Sequence, residues 1–169
     1  MEAVYEKQIK EAIEDITFFL ETPFSYLLIL DANREKLYKM SFENNMKEEG
    51  FDKLPPRDVE QFLMEGRQIF ERRLDKTIDV HKKFIKDLGL KIEVKNLPFD
   101  TDKMMIMFDR IYDIIYAETI GDLEGGTLFA EDPKVEEYVN IIKEQVEVLV
   151  DDVIKFASVF TQYIEPQYE

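Results

Sequence analysis

The sequence predicts a mainly α, single-domain helical bundle of about four long helices over residues 1–169, with a small antiparallel β element attached. Three observations predict it. Apolar residues recur at helical spacing through four long stretches. Proline, glycine and Asp-Thr or Asp-Pro pairs stand at the ends of those stretches. Two shorter segments alternate apolar and polar residues with period two.

The first helix covers 2–21, where Tyr5, Ile9, Ala12, Ile16 and Phe19 share a face. Thr22-Pro23 closes it, or opens a second helix with proline at its first position. As a helix, 24–38 would carry its stripe from Phe24, Leu27 and Leu28 into Asp31, Arg34 and Glu35, a full polar turn. The segment therefore reads better as a hairpin over 26–42. Tyr26–Leu30 forms one strand, Asp31-Ala32-Asn33-Arg34 the turn, and Tyr38, Met40 and Phe42 alternate along the other.

Leu54-Pro55-Pro56 leads into a helix over 57–88, with Leu74, Ile78, His81, Ile85 and Leu88 on one stripe and Gly89 ending it. The segment 91–97, KIEVKNL, alternates Ile92 and Val94 with charges, which makes it a candidate third strand; the β element is expected as the hairpin 26–42, with or without 91–97. Asp100-Thr101 caps a helix to about Ile120. Asp132-Pro133 starts the last helix, which runs to about 164. Its residues Val135, Val139, Ile142, Val146, Leu149, Val153, Phe156 and Phe160 alternate four and three apart, close to four heptads.

Composition narrows the function classes. The formal charge of −15 argues against nucleic-acid binding, which rests on Lys and Arg, and against docking on anionic membranes. No apolar run approaches the length of a membrane span, and the acidic start MEAVYEKQIKEAIED lacks a signal-peptide pattern, so a cytoplasmic protein is expected. Without cysteine there is no thiol nucleophile and no Cys-bound metal. A single histidine cannot build a multi-His iron or zinc site. Abundant Lys and Glu lean towards a thermophilic source.

Three places draw attention. Asp109 and Asp113 lie four apart in MMIMFDRIYDIIY, the most apolar helix, on a face with Ile106, Tyr116 and Ile120. A helix apolar nearly all round should be central, so these acids are expected to be partly buried. Arg110, or Arg72, Arg73 and Lys76 on the long helix, are the basic partners within reach of that expectation. The sharper alternative is a divalent-cation site for Mg or Mn, with Glu118 or Asp122 assisting and Arg72, Arg73 and Lys76 facing a phosphorylated ligand. His81 sits on an apolar stripe, which suits a hydrogen-bonded core residue; a general base beside a carboxylate such as Asp109 is the alternative. The last helix carries the acids Glu137, Glu144, Glu147, Asp151 and Asp152; Glu137, Glu144 and Asp151 fall opposite its seam with Glu147 beside them, so the set reads as a solvated acidic ridge.

Charge is also divided by segment. Arg72–Lys91 carries seven cations against three anions, whereas 131–169 carries ten anions against three cations. The two segments are expected to pack side by side or to meet across a dimer. The expected function is a non-catalytic interaction or regulatory module, acting on a protein partner or forming a homo-oligomer. A metal-dependent hydrolase of a phosphorylated small molecule is the alternative.

Overall fold

The structure, a computed structural model, describes residues 2–39, 56–125 and 133–163. It is all-α. Helix α1 runs Glu2–Ala32, a short α2 covers 34–39, α3 is Pro56–Leu88, α4 Thr101–Gly125 and α5 Pro133–Tyr163. No helix among the described residues is long and apolar enough to cross a membrane.

The expected β element is absent among the described residues. Tyr26–Leu30 belongs to α1, which continues past Pro23 without interruption. An interior proline forfeits one backbone hydrogen bond and costs about 3 kcal/mol. Here Pro23, Phe24, Ser25, Tyr26 and Leu27 are all buried. Each large apolar side chain so buried returns roughly 1.5–3 kcal/mol, so burial outweighs the proline. Asn33 interrupts the helix for a single residue. Its N–H bonds the Leu30 carbonyl at 3.2 Å, its Nδ2 bonds the Ile29 carbonyl at 2.7 Å, and no non-glycine residue described takes a positive φ. The polar turn that spoke for a hairpin faces α3 instead. Arg34 pairs with Asp31 at 2.6 Å and with Asp75, and Glu35 pairs with Arg67. Leu30 and Leu37, both fully buried, mark the face that points inward. Of the expected second strand, Tyr38 lies in α2, while Met40 and Phe42 are outside the described residues.

The period-two segment 91–97 is extended, yet it pairs with no strand. Leu90, Ile92, Leu97 and Phe99 pack on the helical core while Lys91 and Glu93 are exposed, but Val94, expected inward with Ile92, is exposed at 56%. The segment is an extended chain lying on helices, and its inward phase slips by one residue at Val94, which no strand partner holds in register. Gly89, at φ 64°, starts it: its N–H bonds the Lys86 carbonyl and the Leu90 N–H bonds the Ile85 carbonyl, a left-handed helix end that glycine adopts without strain. Asp100 Oδ1 accepts from the Lys103 N–H at 3.2 Å and starts α4, as its sequence position implies.

The contacts define a square of antiparallel neighbours, α1–α3–α5–α4. Asp75 of α3 meets Arg34 just past α1, whereas Gly89 and Leu90 lie beside Ile9, Ile13 and Thr17. Arg73 meets Asp152, and Val80 and Phe84 lie beside Gln145 and Val148. Met105 meets Thr161, and Tyr116 meets Glu147. Helices α3 and α4 are therefore parallel and diagonal. Joining them requires a crossover that climbs the bundle, and 90–100 is that crossover. It is pinned midway, where the Lys95 N–H donates to Ser25 Oγ at 2.9 Å and Lys95 Nζ meets Glu21 at 3.8 Å. At the top Lys36 stands over the Phe99 ring, 4.8 Å from its centre.

The apolar core joins all four long helices. Phe70, Phe108, Phe156 and Phe160 form one aromatic knot, with ring centres 5.2–6.3 Å apart. The α5 seam from Val139 to Phe160 is buried throughout. It is an intramolecular seam. The side chain of Val135 is outside the described residues.

Candidate functional site

The one buried polar constellation described at the bundle centre is built on the diagonal. His81 comes from α3 and Tyr112 from α4, and both are buried completely or nearly so. His81 Nδ1 lies 2.7 Å from the Thr77 carbonyl, which can only accept, so Nδ1 carries the proton. Nε2, 2.7 Å from the Tyr112 hydroxyl, then accepts from it. Phe24 of α1 stacks on the imidazole, with ring centres 6.2 Å apart. Burial pulls the His81 pKa down to about 4, opposed by the Thr77 carbonyl and by nearby Asp152. Burial also pushes the Tyr112 hydroxyl well above its ordinary value. The imidazole is therefore neutral at pH 7 and both of its nitrogens are occupied. Acting as a general base would require a substrate to replace Tyr112 at Nε2.

Asp152 flanks the α5 seam and is 4% exposed. Its Oδ1 lies 3.3 Å from Arg73 Nη1 and 3.9 Å from Lys76 Nζ. Asp152 Oδ2 and Thr77 Oγ1 are buried without a hydrogen-bond partner among the described residues. A buried carboxylate is tolerated only with compensating charge, and α3 supplies it from Arg73 and Lys76.

The residues singled out from sequence do not converge on one place. Asp113 is exposed, and so are Ile106, at 60%, and Tyr116. The expectation of a central α4 with partly buried acids is corrected there: α4 is a corner helix of the square, and that face of it points outward. The side chains of Asp109, Arg110, Glu118, Ile120 and Asp122 are outside the described residues. Among the described residues, no group of three or more His, Asp or Glu side chains is placed to hold a metal ion. Arg73 and Lys76 turn to Asp152, whereas Arg72 lines a shallow depression on the outer face of α3 with Asp75, Lys76, Asp79, Val80 and Lys83. Glu137, Glu144, Glu147 and Asp151 are exposed, as a solvated ridge should be.

Sequence reasoning missed Tyr112 and Ser25, and it grouped Asp152 with the acids of an outer ridge, whereas Asp152 is buried against α3. Tyr112 carries no periodic signal separate from its apolar neighbours. Asp152 did leave one, since it sits directly against Val153 of the seam, on the flank that must face α3. Also missed were Ile141 and Val148, which stand exposed on α5 seven residues apart, Val148 at 59%. A second depression opens beside them, lined by Val80, Lys83, Phe84 and Asp87 of α3 and by Glu144, Gln145 and Val148 of α5.

Comparison with protein-family models, with curated proteins and with solved structures finds no match for this chain.

Proposed function

We propose that this chain is a non-catalytic interaction module that binds protein through the outward face shared by α3 and α5. One observation carries the reading. Ile141 and Val148 form an exposed apolar line along α5, beside the depression edged by Val80 and Phe84. Single exposed apolar residues are ordinary on protein surfaces. Two on one helical line, beside an open depression and rimmed by charge, have the layout of an interface centre within a polar rim. The groups with chemical potential support the same reading from the other side, since His81 and Tyr112 are sealed in the core and occupied by each other.

A photo-crosslinking residue placed at 141 or at 148 tests it, with one at exposed Lys10 on α1 as the control. The expected result is protein adducts from 141 and 148 and none from 10, in extract of the source cells. Absence of adducts from both α5 positions, with the labelled proteins folded by circular dichroism, removes the reading. So does a pattern shared equally with the control.

A further inference from the structure

We infer that the partner of this face is a second copy of the same chain, docked by a two-fold axis that runs along the groove between α3 and α5. This rests on the interaction-module reading and names its partner.

Charge differs between the two edges of the face. On the outer face of α3 stand Arg72, Lys76 and Lys83 against Asp79 and Asp87, while Asp75 is paired with Arg34 and Lys76 also leans on Asp152. On the outer face of α5 stand Glu137 and Glu144, flanking Ile141. Lys83 and Glu144 edge the same depression, both exposed, and neither has an ion-pair partner among the described residues. The α5 edge of the groove is thus acidic, and the α3 edge sets Lys83 opposite it at the level of Glu144, on two antiparallel helices with apolar side chains between them.

Symmetry then selects the arrangement. An isologous interface must be complementary to itself. A two-fold axis lying in the face and parallel to the helices exchanges the two edges while preserving height along the bundle. Helix α3 of one copy lies over α5 of the other, Lys83 over the acidic edge, and the two Val148 lines meet near the axis. Because height is preserved, Lys83 meets the residue of the second copy's α5 at its own level, which is Glu144. A two-fold axis perpendicular to the helices within the same face would instead set α3 on α3 and α5 on α5, which brings the acids of the two α5 helices together and leaves Lys83 without Glu144.

The available area is sufficient. Two helices about 45 Å long and about 10 Å apart present a face of roughly 800 Å² per partner, the size of a standard interface. The net charge of −15 opposes self-association, but at physiological salt charges beyond about 8 Å are screened, leaving the local pairs to decide. The sign of the salt effect follows: if these pairs hold the dimer, added salt weakens it.

The test is sedimentation equilibrium of the purified full chain, as wild type, Lys83→Glu, Glu144→Lys, and an equimolar mixture of the two variants. Wild type is expected to dimerise, with a dissociation constant that rises with NaCl. Each variant alone sets two like-charge contacts into its homodimer and should weaken it by about tenfold or more. The mixture should recover association. In the mixed dimer the acid introduced at position 83 faces the base introduced at position 144, and the unchanged Lys83 faces the unchanged Glu144. An intrachain pair cannot produce that recovery. A wild type that stays monomeric to millimolar concentration overturns the inference. So does a dimer that tightens with salt or ignores both substitutions. A monomeric wild type that still gives adducts from 141 and 148 in extract removes the second copy and keeps the interaction module. Loss of both results removes both.

Discussion

His81 is fully buried with its pKa drawn down to about 4, and that has a direct consequence for stability. The unfolded chain takes up a proton near pH 6.5, whereas the native core refuses it until about pH 4. The unfolded state therefore binds more protons throughout that window, and native stability falls as pH is lowered through it. The full loss is about 3 kcal/mol, reached near pH 4 and constant below. Urea unfolding of wild type and His81→Phe at pH 7 and about pH 4.5 should show wild type losing about 2–3 kcal/mol more than the variant. Parallel profiles would mean that the imidazole titrates freely. The hydrogen bond gives a second expectation. Tyr112→Phe leaves Nε2 without its donor and should cost about 1–3 kcal/mol. Combined with His81→Phe, the loss should be smaller than the sum of the two, since both remove the same link. Asp113, by contrast, is exposed, and Asp113→Asn should move stability by no more than about 0.5 kcal/mol, equally in EDTA, Mg²⁺ or Mn²⁺. A metal that raises the wild-type midpoint and spares the variant's would revive the cation site.

At the scale of elements, α5 was the most legible from its pattern. Its four-three spacing marked the buried line, and every described member of that line is buried. The two sides of this helix should respond oppositely to truncation. Leu149→Ala should cost about 2–5 kcal/mol, and Val148→Ala close to nothing in the isolated chain. Chemical denaturation of the two variants reads this directly, and comparable losses would mean that the seam is misplaced. The helix ends were legible too, because Gly89 and Asp100 act through local backbone geometry that needs no tertiary partner. The stretch 26–42 misled for the opposite reason. A polar turn within an apolar pattern looks the same whether it makes a hairpin tip or faces a charged neighbour. Only the presence of Asp75 and Arg67 across the gap distinguishes the two. Helix α4 misled through its apolar excess, which implied a central position that a square bundle gives to none of its helices.

The whole molecule turns on its crossover. From the level of Thr17 to that of Lys36 the climb is about 28 Å at 1.5 Å per residue, and the extended chain from Gly89 to Phe99 reaches roughly 33–36 Å. Deleting 93–96 leaves roughly 20 Å of reach, too little to place α4 parallel to α3. That deletion should abolish the native amide spectrum, whereas four glycines inserted after Asn96 should cost less than about 1 kcal/mol. A deletion variant with a native-like spectrum would refute the topology. Ser25→Ala should leave the helices in place but expose the Lys95 amide, whose hydrogen exchange should quicken by about tenfold or more.

Local pattern settled what local forces control. Helical periodicity, the proline at the head of α5, the glycine after α3 and the acidic outer ridge are all present in the order of residues, because each depends on neighbours a few positions away. Tertiary structure decided the rest. It carried α1 through Pro23 because burial there exceeds the loss of one hydrogen bond. It left 91–97 without a strand partner because α3 and α4 had to be joined from end to end. It met His81 with Tyr112, and Asp152 with Arg73, across distances in sequence that no periodicity encodes. The α5 seam was spent inside the chain, and Ile141 and Val148 were left on the outside: which of a helix's apolar lines faces inward is fixed only when the other helices close around it.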